Sequence, residues 1–200
     1  MDSFVRLIDT VARSLSRYEN VNTEGSVLAA VSGGVDSTVL LLALARPRDE
    51  GRLAGGRAAA RADHGVRPDR RQNAQHVLPL CDRLGVPVIV RQLELDKASP
   101  SEDEMRRARY DALLDAARHF GAKTLLTAHH GDDNLETVLF RMLRGTGPRG
   151  LAGIPESRWL GRGDRRVLVV RPLLRTRRTT IEGLLRRLGE EPYHDTSNDD

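Results

Sequence analysis

Short apolar runs alternate with helix-length amphipathic segments along almost the whole chain, and this alternation constrains the fold more than any other feature. After Gly25 comes the buried-type run SVLAAV, then a helix from Asp36 to Ala45. An alanine-rich strand from Arg57 to Asp63 is followed by a helix from Asp69 to Leu84, stopped by Gly85. The β-branched run VPVIVRQLEL leads to a helix from Ser101 to Phe120, with Ser101 and Glu104 spaced as a capping box and Gly121 as the stop. KTLLTA, a helix from Asp132 to Leu143, the run RVLVVRP and a helix from Thr179 to Leu188 complete the pattern. Strands separated by helices pair in parallel through crossovers, so the expected fold class is α/β: a five-stranded parallel sheet with helices on both faces and right-handed connections. Ligands of such sheets bind beyond the C-terminal strand ends. Two Gly- and Arg-rich stretches, EGRLAGGR and GTGPRGLAGIPESRWLGRGDRR, read as exposed loops.

Composition narrows the setting. The 200 residues suit one domain, and aromatics at 4% leave Leu, Val, Ile and Ala to build the core. No apolar run reaches the roughly 18 residues of a membrane span. The N-terminal segment MDSFVRLIDTVARSL reads as an amphipathic helix and lacks the h-region of a secretory signal, which makes the cytoplasm the expected compartment. Cys81 is the only cysteine, which excludes an internal disulfide and argues against a zinc cluster; on an apolar helical stretch it reads as a buried structural thiol. Residues 141 to 191 hold 13 arginines against 5 acidic residues, a net of +8, so the rest of this +4 chain nets −4. Such a basic block suits an anionic partner such as nucleic acid. An arginine-rich proteome would give the same bias, since Lys97 and Lys123 are the only lysines.

The sharpest local signal is Ser32-Gly33-Gly34-Val35-Asp36-Ser37, between VLAAV and a helix. Two glycines let the backbone turn tightly and aim N–H groups at a phosphate, and the helix N-terminus adds partial positive charge. Ser32 and Ser37 can donate from their hydroxyls, and Asp36 can hold Mg²⁺ against the phosphates. The GKS or GKT ending of a Walker A loop is absent. The plainer alternative is a strand–glycine–helix turn with Asp36 as a cap. Further along, Asp133 and Glu136 lie three apart at a helix start, where paired carboxylates can bind Mg²⁺ or an ammonium group, or simply favour the helix dipole. Arg106 and Arg109 share one helix face, which suits a phosphate, a base or solvent.

The SGGVDS hexapeptide resembles the PP-loop of the ATP pyrophosphatases, enzymes that cleave ATP between its α and β phosphates. Six further segments resemble those of the tRNA(Ile)-lysidine synthase family. Ala62-Asp63-His64-Gly65-Val66-Arg67 resembles its HxDHGLR segment, with Arg61 where the family often has His. Glu102 to Tyr110 resembles E-x-x-A-R-x-x-R-Y, with Met105 for Ala. Ala128 to Thr137, AHHGDDNLET, resembles AHHxDDQxET, with Asn134 for Gln and His130 at the family's recurring histidine. Arg144-Gly145-Thr146-Gly147 with GLAGIP is similar to the RGxGxxGLxGMP loop, Arg171 to Leu174 match RPLL, and Asp195 to Asn198 resemble DxSN.

The resemblance implies an adenine nucleotide alpha hydrolase-like, Rossmann-like fold, with residues 1–200 as the PP-loop catalytic domain and the family's C-terminal tRNA-binding domains lying beyond Asp200. It implies a cytoplasmic ligase that uses ATP and Mg²⁺, free L-lysine and an isoleucine tRNA with a CAU anticodon, and it is compatible with a homodimer. In that chemistry ATP adenylates the C2 oxygen of the wobble cytidine, then the lysine ε-amine attacks C2 and expels AMP. The residues carried over are Ser32, Gly33, Gly34, Val35, Asp36, Ser37, Asp63, His64, Arg106, His130, Arg144 and Gly145 around the nucleotide. Asp36, Asp133, Glu136 and Arg109 carry the chemistry, with Asp36 and Asp133 on the metal. A related tRNA thiolase, which needs several cysteines, and a non-catalytic nucleotide-binding protein of the same fold are the competing readings.

Overall fold

A computed structural model of the chain describes residues 3–18, 26–49, 56–63, 69–93, 95, 100–147, 150–163 and 166–190. Six helices and six strands run in the order α1 (Ser3–Ser16), β1 (Val27–Ala30), α2 (Val35–Asp49), β2 (Arg57–Asp63), α3 (Asp69–Arg83), β3 (Val88–Gln92), α4 (Glu102–His119), β4 (Thr124–Leu126), α5 (Gly131–Leu143), β5 (Ser157–Leu160), β6 (Val167–Val170) and α6 (Arg178–Arg187). One 3₁₀ turn, Gly150–Ala152, lies between α5 and β5. The sheet order is β3-β2-β1-β4-β6-β5. β1 is central and pairs in parallel with β2 and β4, and β6 is parallel to β4.

The expected α/β class and its five parallel strands are present, with one correction. β5 is a sixth strand, antiparallel to β6, formed by Ser157–Leu160 inside the segment read as a loop. An antiparallel neighbour needs only a short reversal, so it leaves no intervening helix to betray it. Gly161 and Gly163, at φ +86° and +56°, provide that reversal. Most of EGRLAGGR lies outside the described residues.

Side chains alternate across the strands and build two cores of unequal size. Val27, Ala29, Leu126, Leu168 and Val170 face a large core closed by α1, α2, α3 and α6. Leu28, Ala58, Leu125, Val167 and Val169 face a smaller core closed mainly by α4. Helices therefore cover both faces, unevenly. α4 is placed by the capping box expected from its sequence: Glu104 N–H donates to Ser101 Oγ at 3.3 Å, and Ser101 N–H donates to the Glu104 carboxylate at 2.8 Å. Cys81 is fully buried in the large core, and burial pushes its thiol up to about 11, in keeping with an inert structural cysteine. No helix among the described residues is long and apolar enough to cross a membrane.

α5 differs from the others in that none of its residues is fully buried. It leaves the end of β4 and stands off the sheet, so its position depends on polar ties at its ends. Packing of the central strands holds those ends in place. Replacing Leu28, which is 0% exposed in the middle of β1, by Ala should lower stability by about 2–5 kcal/mol, measured as the shift in the urea unfolding midpoint.

Candidate active site

The C-terminal end of β1 continues into a loop bent at Gly33, whose φ of +96° is one that L side chains rarely adopt. Ser37, in the first turn of α2, folds back on this loop. Its Oγ accepts the N–H groups of Ser32 at 3.1 Å and Gly33 at 3.2 Å, and donates to the Gly34 carbonyl at 3.1 Å. The Ser32 and Ser37 hydroxyl oxygens are 3.0 Å apart. The Ser37 hydroxyl is thus committed to holding the loop's shape, whereas Ser32 is exposed to solvent. The N–H groups opening α2, at Val35 and Asp36, belong to the first turn, which has no helical acceptors. With Gly34 they form a positively polarised rim suited to an anion. From β2, the buried Arg61 guanidinium donates to the Ser32 carbonyl and supports the loop from below.

The second half of the site comes from β4 and α5. His130 is the N-cap of α5 and is 4% exposed. Its backbone N–H donates to Asp133 Oδ2 at 2.8 Å, and its Nδ1 accepts the Asp133 N–H at 3.3 Å, closing a reciprocal capping box. With Nδ1 used as an acceptor, the neutral imidazole carries its proton on Nε2. That nitrogen lies 3.7 Å from Asp36 Oδ1. Asp36 Oδ1 is buried and accepts no hydrogen bond among the described residues. Burial raises the Asp36 carboxyl above its ordinary value; His130 and Arg178 pull it down, and Asp133 pushes it up further.

Neighbouring ties set the angle of α5. Asp132 Oδ2 accepts the N–H of Arg178 at 2.8 Å, and Gly131 N–H donates to the Thr176 carbonyl at 2.8 Å, so α5 starts against the start of α6. A Cβ at position 131 would meet the Thr176 carbonyl oxygen at 3.1 Å, which explains the glycine. Asn134 Oδ1 accepts the Ile154 N–H at 2.6 Å, and Arg141 donates to the Gly153 carbonyl at 3.0 Å. Asn134, in the place of the family's Gln, thereby anchors the segment that leads into β5.

The structure gathers Ser32, Gly33, Gly34, Val35, Asp36, Ser37, His130 and Asp133 at the adjoining ends of β1 and β4. Asp63 ends β2 on the far side of β1, while His64 and residues 195–198 lie outside the described residues. Glu136 is exposed one turn along α5, and Arg106 and Arg109 are exposed on α4. Arg144 and Gly145 are not brought to the loop. Arg144 is the C-cap of α5, stacked 4.0 Å from the Phe140 ring centroid, and a 13-residue helix separates it from His130. Sequence reasoning missed Arg61, Asp132 and Arg178 as supports of the site. The one available signal was an arginine within the strand run that ends at Asp63.

Mg²⁺ takes one or two carboxylates and completes its octahedron with water and substrate phosphates. The unpaired Asp36 oxygen beside an anion-binding rim fits that donor set. No group of three or more His, Cys, Asp or Glu among the described residues forms a protein-only cage.

A PP-loop domain profile matches residues 7–200. The chain belongs to the PP-loop domain family. The Ser32–Ser37 turn, whose sequence resembles the PP-loop, lies within the matched residues. Curated tRNA(Ile)-lysidine synthases are similar along most of the chain: 37% identity over 197 residues in Novosphingobium aromaticivorans and 41% over 180 residues in Salinispora arenicola, covering 97% and 88% of the chain. The chain spans 58% and 52% of the length of those two relatives. Among solved structures, the U34-tRNA thiolase NcsA from Methanococcus maripaludis superposes with a TM-score of 0.76 at 18% identity, over 96% of this chain and 66% of that one. The NH3-dependent NAD synthetase from Campylobacter jejuni superposes with a TM-score of 0.58 at 14% identity, over 94% and 74%. At those identities the likeness is one of fold.

The buried Asp36 carboxylate of this PP-loop protein disfavours the folded state at neutral pH. Its raised value means that the folded chain holds the proton where the unfolded chain has lost it, so the penalty grows as pH rises through the folded value. Asp36→Asn should therefore raise Tm by about 2 °C at pH 7.5, and the gain should shrink towards pH 4, as followed by calorimetry.

Proposed function

We propose that this chain is the catalytic part of a tRNA(Ile)-lysidine synthase. ATP adenylates the C2 oxygen of the wobble cytidine of an isoleucine tRNA and releases pyrophosphate; the ε-amine of free lysine then bonds to C2 and AMP leaves. The observation that carries this reading is the 3.7 Å approach of His130 Nε2 to Asp36 Oδ1, which brings the SGGVDS and HHGDDN segments together at neighbouring strand ends. Identities of 37–41% to curated lysidine synthases support the specific chemistry.

The PP-loop rim offers N–H groups to the departing pyrophosphate, where negative charge develops in the transition state. Asp36, helped by Asp133, would hold Mg²⁺, which supplies charge neutralisation at that leaving group. Asp133 has one oxygen fixed by the His130 N–H, so the carboxylate is oriented before substrate arrives. Glu136, on the same helix and open to solvent, is placed to receive the ammonium of the incoming lysine. A tRNA substrate is consistent with a cytoplasmic protein.

The thiolase reading finds less support here, because the one cysteine is buried with a thiol pushed up to about 11. Radiolabelled lysine incorporation into isoleucine tRNA by the complete gene product tests the proposal. Asp36→Ala should lower the rate by at least about 100-fold, and Glu136→Gln should raise KM for lysine more than it lowers kcat. ATP binding without tRNA-dependent pyrophosphate release would show instead a nucleotide-binding protein that does no chemistry.

A further inference from the structure

Tyr110, in α4 and only 9% exposed, sits beneath two guanidinium groups. Arg158 from β5 lies 4.8 Å from its ring centroid and Arg106, one turn earlier in α4, lies at 5.5 Å. A third arginine, Arg171 at the end of β6, is 1% exposed and is directed at the phenol oxygen. His129, with Nδ1 3.0 Å from Thr127 Oγ1, borders the same group. Burial, then Arg171, pushes its imidazole down to about 4, so it is neutral at physiological pH.

Three cations thus share one aromatic ring, and none of the three makes an ion pair among the described residues. Arg171 Nη1 donates to the Pro155 carbonyl at 2.8 Å, but the Nε–H groups of Arg171 and Arg158 are buried and reach no acceptor. An arginine has no acceptor atom, so the Tyr110 O–H is also left for an outside acceptor. Arg171 is buried and Arg158 partly so, while Arg106 is exposed at the rim; charge of one sign with unused buried donors is unfavourable unless a counterion completes it. Cation–π contact offsets part of this but satisfies no N–H.

Position indicates which anion. The sheet order places the Ser32–Ser37 turn at β1, the acidic capping box at β4 and the roots of Arg171 and Arg158 at β6 and β5, where Arg106 and Tyr110 meet Arg158 from α4. With strands about 4.8 Å apart, the cluster's root lies about 10 Å from the PP-loop, across the reacting centre from β2. ATP already has its anion site at the PP-loop, and its adenosine, by the family resemblance, belongs on the β2 side at Asp63. The polymeric substrate must enter from the remaining side. Guanidinium forks match phosphate oxygens two at a time.

We propose that Arg106, Arg158 and Arg171, gathered around Tyr110, form a second anion site that grips a backbone phosphate of the RNA substrate beside its reacting nucleotide. This rests on the RNA part of the reading above and not on the lysine chemistry. It also moves Arg106 from the nucleotide to the RNA.

The test is fluorescence anisotropy of a labelled anticodon stem–loop transcript of isoleucine tRNA at several KCl concentrations, beside equilibrium dialysis with ATP and calorimetry with free lysine. The Arg106→Gln/Arg158→Gln double variant changes one exposed and one partly buried side chain and should keep its Tm. It should bind the RNA about 10-fold more weakly, with the slope of log Kd against log salt reduced by about 0.7 for each phosphate that the protein no longer neutralises. Tyr110→Phe, which keeps the ring and removes the O–H, should weaken RNA binding two- to threefold, with ATP affinity unchanged in both variants. Unchanged RNA affinity and slope would overturn the proposal, as would a loss confined to ATP or to free lysine. Because the readout is binding, wild-type chain that holds the RNA but never incorporates lysine would sink the lysidine reading and leave this site standing.

Discussion

The approach of His130 to Asp36 is the contact on which the site's architecture depends. One residue belongs to the turn after β1, the other to the turn after β4, and these strands are neighbours in the parallel sheet. The histidine can make this contact because its other nitrogen is held by the backbone of α5. Desolvation raises the aspartate's carboxyl, and His130 and Arg178 offset that only in part. That balance is incomplete, as the raised carboxyl shows, and the shortfall is what a metal or a phosphate-bound cation would remove on binding. A site that is electrostatically unfinished in the absence of ligand is in this sense pre-organised for one.

Around that contact the layout is directional. Asp63 ends β2 on one side, the acidic helix start follows β4, and Arg171 and Arg158 stand at β6 and β5 on the other. α5 can present Asp133 and Glu136 to the pocket because it is held by Asp132, Gly131 and Asn134 and not by buried apolar contacts. Polar ties fix orientation more sharply than a hydrophobic face does, but they leave Leu135, Leu139 and Phe140 about half exposed. The uneven cores have the same origin: four helices close one face of the sheet, while α4 closes much of the other and carries Tyr110 and its arginines to the rim.

Much of this was legible in the chain's own pattern. Every α-helix and every parallel strand among the described residues was anticipated, because burial on a parallel sheet imposes continuous apolar runs and the helices carry their own stop signals at Gly85 and Gly121. The capping box at Ser101 and Glu104 could be read from spacing alone. β5 was not legible, since four residues with one exposed tryptophan look like loop until β6 supplies the partner. Arg61 and Arg171 were equally opaque: an arginine in a strand run shows nothing of whether it reaches solvent, a carbonyl or a phenol. Arg144 stands a 13-residue helix away from His130, because each helical residue adds a rise of about 1.5 Å.

The sequence by itself determined the class of fold, the bent glycine turn and the residue types of the acidic and the anion-binding segments, because these depend on local periodicity, backbone freedom and side-chain chemistry. Tertiary structure alone decided which of those segments meet. His130 reaches Asp36, and three arginines converge on Tyr110, only because parallel pairing lines up strand ends that lie tens of residues apart in the chain, and no local rule of propensity or spacing encodes that distance.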